Sequence, residues 1–256
     1  VVDDIEHKIS HIMRGEDHIT NTAIQIQIFQ ALGAEIPQFI HFPLIKHNSG
    51  KISKRVGGFD IKKIRQEGKI ESISVMNLLF QLGTAEHDTY KTIEDLVKNF
   101  DLKNFGKSAV NYDEGMLIMI NQKIIANMSF DQAQHRLKEI GFKQEISQLF
   151  WTTIQPNILD LTEVQHWWKI IYEKFHYNHN NNDKDFLQQI TDILPKDISS
   201  EDSWQHWVTK IKNISKRKGK NLFMPIRIAL TGKTHGPEMK NILRLINRDE
   251  VIRRLF

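Results

Sequence analysis

The sequence predicts a mainly α protein that opens on a piece of an α/β fold. Three observations carry this. A strand–helix–strand pattern fills the first 45 residues, a Gly- and Lys-rich loop follows at His47–Asp60, and beyond it apolar residues recur at helical spacing to the C-terminus.

The first strand is read over Ile9–Met13, where Ile9, His11 and Met13 alternate with Ser10 and Ile12. Thr20 to Thr22 are expected to cap the helix AIQIQIFQAL, and Gly33 stands where a helix ends on a left-handed residue. Pro37 closes the turn. Phe39–Ile45 is the second strand, with Pro43 marking an edge or the strand's end, because proline cannot donate to a ladder. Strands joined by so compact a crossover helix run parallel. Two strands do not close a parallel sheet, so the rest of it is expected elsewhere.

After the loop the period is helical. Asp60 can cap IKKIRQE, which Gly68 ends, and SISVMNLLFQL runs to Gly83. Thr92 caps TIEDLVKNF, whose first turn carries Glu94 and Asp95 beside the positive end of the helix dipole. Residues 113–127 bring Met116, Leu117, Met119, Ile120, Ile124 and Ile125 onto one broad face, so Met116 and Met119 are expected in the core. Further helices are expected over Asp131–Ile140, Thr162–Phe175, Asp185–Leu194, Glu201–Lys218 and Pro237–Leu255, with His176–Asp183 a polar linker. Trp167, Trp168, Trp204 and Trp207 sit at helical spacing among apolar partners, which points to helix–helix contact before base stacking.

A chain of 256 residues and 30.0 kDa can bury a real core. It has no cysteine, which removes disulfide scaffolds, catalytic thiols and Cys-ligated zinc. No apolar run approaches the roughly 18 residues a membrane span needs. Val1 opens the chain with no signal-peptide pattern after it, so the chain is expected to begin inside a larger protein. Charge is segregated. Residues 1–45 hold two basic and six acidic residues, residues 46–69 hold eight basic against Asp60 and Glu67, and Ser203–Pro237 holds eight Lys and Arg with no acid. Two basic blocks fit an extended polyanion, or two solvated surfaces.

Chemistry concentrates in Gly50-Lys51-Ile52-Ser53-Lys54-Arg55-Val56-Gly57-Gly58. Two ammonium groups flanking a hydroxyl, on a loop bounded by glycines, can bend over a triphosphate and follow its charge during transfer. Such a cluster also occurs as a solvated turn, and the residues alone leave both readings open. His176 and His179 form H-x-x-H in an Asn-rich linker, where a solvated loop outweighs zinc. His41, between aromatic neighbours, reads as a packed strand residue. Ser53 has no base partner in the pattern of a hydrolase triad. Lys216-Arg217-Lys218-Gly219-Lys220 reads equally as a solvated helix end or as an RNA contact.

Lys51-Ile52-Ser53-Lys54-Arg55 resembles the KMSKS signature of class I aminoacyl-tRNA synthetases. Val1 to Asp4, Ile12-Met13-Arg14-Gly15-Glu16-Asp17-His18, Asn21-Thr22, Pro37-Gln38-Phe39 and His41 to Ile45 resemble the second half of the glutamyl-tRNA synthetase catalytic fold. Phe223 to Gly232 and Thr234 to Glu238 are similar to the bacterial type's anticodon-binding region. The resemblance covers nearly the whole chain and is weakest between about 140 and 215.

It implies a remnant of a Rossmann-like nucleotide-binding fold over 1–59, a helical stem-contact region over 60–128 and an all-α anticodon-binding domain over 129–256. The implied reaction ligates glutamate to tRNA(Glu) through a glutamyl-adenylate. Lys51, Ser53 and Lys54 would hold the ATP phosphates, Lys54 foremost. Arg14 would grip the amino-acid substrate, which suits a guanidinium's two parallel donors. Asp17 and His18 would lie near ATP and the tRNA acceptor end, and Arg227, Gly236 and Pro237 would meet anticodon bases. ATP would enter as its Mg²⁺ complex, with no zinc site in this chain. A cytoplasmic monomer that uses no membrane is the implied setting.

One departure matters. The family's HIGH motif, which binds ATP from the other half of the sheet, has no counterpart here, and His235-Gly236-Pro237 lies in the helical part. The 256 residues are therefore expected to contact tRNA without completing the reaction alone. The alternatives are a tRNA-binding module that does no catalysis and a glutaminyl-tRNA synthetase, whose anticodon region would be a β-barrel.

Overall fold

The computed structural model describes residues 1–47, 50–51, 60–67, 69–84, 87–106, 110–174 and 181–256. The chain divides into two compact units, Val1–Ile124 and Ile125–Phe256.

The first unit begins with a short helix α1 (Val2–Glu6), which the sequence reading left out, and strand β1 (His11–Gly15). A 3-10 turn at Glu16–His18 leads directly into α2 (Ile19–Ala31). The expected cap at Thr20–Thr22 is corrected, because all three residues lie inside the helix and His18 occupies the cap position. The end of α2 is as expected: Gly33 takes φ +63°, and the amides of Gly33 and Ala34 bond back to Gln30 and Phe29. Strand β2 (Gln38–Phe42) pairs parallel with β1, Arg14 opposite His41, and stops at Pro43. This sheet has only those two strands among the described residues. Helix α2 buries Phe29 but leaves Ile24, Ile28 and Leu32 exposed, a stripe at i, i+4 and i+8.

The segment after Pro43 is not one continuous strand. β3 (Ile45–His47) and β4 (Gly50–Lys51) pair antiparallel, and β5 (Val110–Tyr112) adds parallel to β3, with Ile45 opposite Val110. Strands of two and three residues are too short to show a period, so this small sheet was not legible in the sequence. Asp60 caps α3 (Ile61–Glu67) through the amides of Lys62 and Lys63. The helix α4 (Ser72–Gly83) follows, then α5 (Ile93–Lys98) with Thr92 capping Asp95 as expected. Helix α6 (Glu114–Ala126) completes the set.

The core of this unit joins Val75, Leu78 and Leu82 of α4 to Leu117, Ile120 and Ile124 of α6 and Tyr112 of β5. The expectation that Met116 and Met119 are core residues is corrected: they are 36% and 61% exposed. The buried stripe runs 117, 120, 124, and each methionine stands about 100° around the helix from its buried neighbour. Asn121, fully buried on the same stripe, ties the start of α4 down. Its Oδ1 accepts from the Glu71 amide and the Ser74 hydroxyl, both at 2.9 Å, and its Nδ2 donates to the Lys69 carbonyl at 3.0 Å.

The regular secondary structure of the second unit is helical among its described residues. It comprises α7 (Phe130–Glu139), α8 (Gln148–Ile154), α9 (Glu163–Tyr172), α10 (Asn181–Asp192), α11 (Ser203–Ile214), α12 (Lys220–Thr231), α13 (Met239–Leu245) and α14 (Arg248–Leu255). No barrel is present among them, against the glutaminyl alternative. The helix expected over Pro237–Leu255 is two, because Asn247 breaks the run and caps α14 through the Asp249 amide. α12 was not expected, since Pro225 lies inside it and removes a backbone donor. The helix persists because Leu222, Ile226, Ala229 and Leu230 are fully buried. Helix α10 starts at Asn181, inside the expected linker, whose residues 176–180, with His176 and His179, lie outside the described residues. Trp167 and Trp207 are core residues as expected, and the Trp207 indole donates to the Ile190 carbonyl at 2.9 Å.

Candidate functional site

Parallel pairing of β1 with β2 sets Arg14 and His41 side by side, so their side chains leave the same face of the sheet. The helix that crosses between the strands brings Thr22 to them from its first turns. The Arg14 guanidinium donates from Nη2 to the Thr22 hydroxyl, and His41 Nε2 lies 2.8 Å from the same oxygen. That hydroxyl also donates to the His18 carbonyl at 3.1 Å. The Arg14 guanidinium carbon lies 5.2 Å from the centre of the Phe39 ring, a cation–π contact. Its Nε is buried and meets no acceptor among the described residues.

The turn Glu16–His18 sits at the same end of β1. Glu16 accepts the Leu44 amide at 3.2 Å, which ties the ends of the two strands together. Asp17 and His18 are exposed, and Asn21 donates toward His18 Nδ1 at 3.2 Å. A Cβ on Gly15 would fall 2.5 Å from an Asp17 carboxylate oxygen, so only glycine lets that carboxylate fold back over the strand end. The resemblance in the sequence singles out Arg14, Asp17 and His18, and the structure sets all three at the end of β1 and the turn after it. Sequence reasoning gave Thr22 a capping role and His41 a packing role. The signal that joins these to Arg14 was the β-α-β crossover itself, which brings the helix start over the paired strand ends.

Of the residues expected to hold phosphates, Lys51 lies in β4 with its backbone opposite Lys46, so the expected loop over His47–Asp60 starts as strand at His47 and Gly50–Lys51. Ser53 and Lys54 lie outside the described residues. In the second unit, Arg227 stands on α12 with Nη1 buried and without a partner among the described residues, and burial pulls its guanidinium below the ordinary value. Gly236 takes φ +132°, and a Cβ there would fall 2.5 Å from the Trp167 ring. Pro237 beside it is buried. His166, next to that tryptophan, is held below its ordinary value by burial first and by the Lys233 ammonium second. Arg217 bonds Asp183 at 2.5 Å and stacks on Phe186 at 4.3 Å, whereas Lys216, Lys218 and Lys220 are exposed. The basic segment thus sets one arginine, paired and stacked, among lysines exposed to solvent.

An apolar cavity of about 430 Å³ lies between α4, α5 and Phe105, with Phe42 and Pro43 at the end of β2 also in its lining, and Arg14, Asp17, His18, Thr22 and His41 do not border it. No group of three or more His, Asp or Glu suited to a metal occurs among the described residues, and no helix there is long and apolar enough to cross a membrane.

Comparison with known proteins gives a consistent result. Residues 1–118 match the catalytic domain of tRNA synthetases class I (E and Q), and residues 122–256 match the anticodon binding domain. The chain is 47% identical to glutamate–tRNA ligase 2 of Orientia tsutsugamushi (strain Boryong) and 44% identical to glutamate–tRNA ligase 1 of Rickettsia prowazekii (strain Madrid E). Each alignment covers all of this chain and 57% of the relative, so the chain spans little more than half the length of the proteins it matches. Among solved structures, a glutamate tRNA ligase from Elizabethkingia meningosepticum in complex with its amino acid superposes with a TM-score of 0.76 at 21% identity. The glutamate-tRNA synthetase of Elizabethkingia anophelis gives 0.78 at 20%. Each likeness covers 99% of this chain and 57% of the other, and shows the fold.

Proposed function

This chain belongs to the class I tRNA synthetases of the E and Q type, anticodon binding domain included, and from that premise we propose that it serves ATP-dependent ligation of glutamate to tRNA(Glu). The observation that carries the reading is Arg14. A guanidinium held against Thr22, at the end of a parallel strand, with a buried Nε that has no acceptor, offers the donor a substrate carboxylate would complete.

In this reading Arg14 orients glutamate. A glutamate α-carboxylate oxygen attacks the α-phosphorus of ATP and pyrophosphate leaves, after which a hydroxyl of the tRNA's 3′-terminal adenosine attacks the acyl carbon and AMP leaves. Lys51, Ser53 and Lys54 neutralise the triphosphate as its charge moves toward the leaving group. Asp17 and His18, exposed at the turn, face the nucleotide and the acceptor end. ATP arrives as its Mg²⁺ complex, the ion bridging phosphate oxygens. Arg227 reads anticodon bases with its unmet donor, while Gly236 and Pro237 set the shape of the adjoining turn.

The two-stranded sheet offers one wall of a nucleotide site. The 256 residues should therefore bind tRNA(Glu) with an affinity that falls steeply with salt, yet leave glutamate unligated. Filter binding across a salt series, paired with an assay of glutamate transfer, tests this. A flat, weak titration removes the tRNA reading, and turnover by these residues alone removes the half-site reading.

A further inference from the structure

Resting on the substrate role proposed for Arg14, we infer that Thr22 and His41 are positioning residues that fix the Arg14 guanidinium for its carboxylate. The argument is proton bookkeeping at one oxygen. Thr22 is 8% exposed, and its hydroxyl has one hydrogen and two lone pairs. Three polar groups surround it: Arg14 Nη2, the His18 carbonyl and His41 Nε2. A guanidinium only donates and a carbonyl only accepts. The hydroxyl hydrogen therefore goes to His18, one lone pair takes Arg14, and the other is left for His41. All three contacts are met only if His41 carries its hydrogen on Nε2.

The consequence for Arg14 is rotational. One end of its planar fork is pinned by Thr22 and its face rests on Phe39, so the edge bearing Nε is held in one direction. Thr22 is itself fixed from two sides, by its own helix through His18 and by the neighbouring strand through His41. Neither residue needs to touch the substrate. A donor held in place before binding loses less rotamer freedom when the ligand arrives, so loosening it weakens glutamate binding more than it slows the step that follows.

The test separates positioning from substrate identity. In the 256-residue chain, long-range ¹H–¹⁵N spectra should show His41 protonated at Nε2, and hydrogen exchange at Arg14 Nε should speed up roughly tenfold in Thr22→Val but not in Thr22→Ser. In the intact ligase, ATP–pyrophosphate exchange should show the KM for L-glutamate rising roughly tenfold in Thr22→Val, with the KM for ATP within about twofold. Thr22→Ser should restore glutamate affinity, and His41→Gln, which keeps a donor at the Nε2 position, should outperform His41→Leu. A His41 protonated only at Nδ1, unchanged Arg14 exchange in Thr22→Val, or a serine variant as impaired as the valine overturns the inference. If the spectra behave as described while the glutamate KM stays put, positioning stands and the substrate role of Arg14 falls instead.

Discussion

Arg254 and Glu250 lie one turn apart on α14 and form an ion pair at 2.6 Å whose arginine is 3% exposed. The same guanidinium donates to the carbonyls of Ile170 and Leu230, each at 2.7 Å, and to that of Glu173 at 3.0 Å. Burial pulls Arg254 below its ordinary pKa and the Glu250 carboxylate pulls it back. The group stays charged, because every direction of its fork meets an acceptor. It therefore satisfies the C-terminal carbonyls of α9 and α12, which those helices cannot satisfy themselves.

Replacing Arg254 with Met should cost the second unit about 3–5 kcal/mol, since it leaves Glu250 without one cation and strands buried carbonyls. Urea denaturation followed by tryptophan fluorescence measures this. A loss below about 1 kcal/mol would mean that water replaces the guanidinium.

Glu250 is drawn down from 4.5 to about 2, chiefly by its hydrogen bonds with Arg253 and then by Arg254, against the opposing effect of burial. A depressed carboxylate contributes stability that is full above its unfolded pKa and fades as pH falls through its folded one. The expected contribution is on the order of 3 kcal/mol, present above pH ~5 and lost between pH ~4.5 and ~2. Glu250→Gln should flatten the acid limb of a stability–pH curve across that window.

Gly236→Ala should destabilise the second unit by about 1–3 kcal/mol. The residue holds φ +132°, and the added methyl would press on the Trp167 ring. A drop in thermal midpoint with a disturbed near-ultraviolet tryptophan signal is the expected result; a midpoint equal to wild type would show that the turn can relax.

Asn121→Leu should destabilise the first unit by about 2–3 kcal/mol, because the Glu71 amide and the Lys69 carbonyl lose their buried partner together. Hydrogen exchange should localise the loss to the start of α4. Protection there equal to wild type would contradict the role given to Asn121.

Arg227→Gln should weaken tRNA(Glu) binding by roughly tenfold while leaving stability nearly unchanged, since its Nη1 meets no acceptor among the described residues. Paired measurement of tRNA affinity and of denaturation midpoint separates the two. A large fall in the midpoint would make Arg227 a structural residue.

Much of the fold was legible wherever a local signal outlasted a turn. Gly33 and Thr92 marked helix ends correctly because capping depends on a few adjacent residues. Pro43 ended β2 for the same kind of local reason. What failed was decided by distant partners. Pro225 suggests a break by itself, and only the burial of Leu222 and Ile226 keeps α12 whole. Met116 and Met119 share a hydrophobic face with Leu117 and Ile120 on paper, but α4 covers only part of that face.

By itself, the sequence determined the local pieces: the strand–helix–strand opening and the helical remainder. Only the tertiary structure decided that Thr22 faces Arg14 and His41 rather than capping a helix, and that Arg254, unremarked in the sequence, holds the ends of two other helices. The physical reason is distance along the chain. Propensity and capping act across a few residues and are written in their order, whereas the partners of a hydroxyl or a guanidinium meet only when separate elements pack, and no local pattern records that meeting.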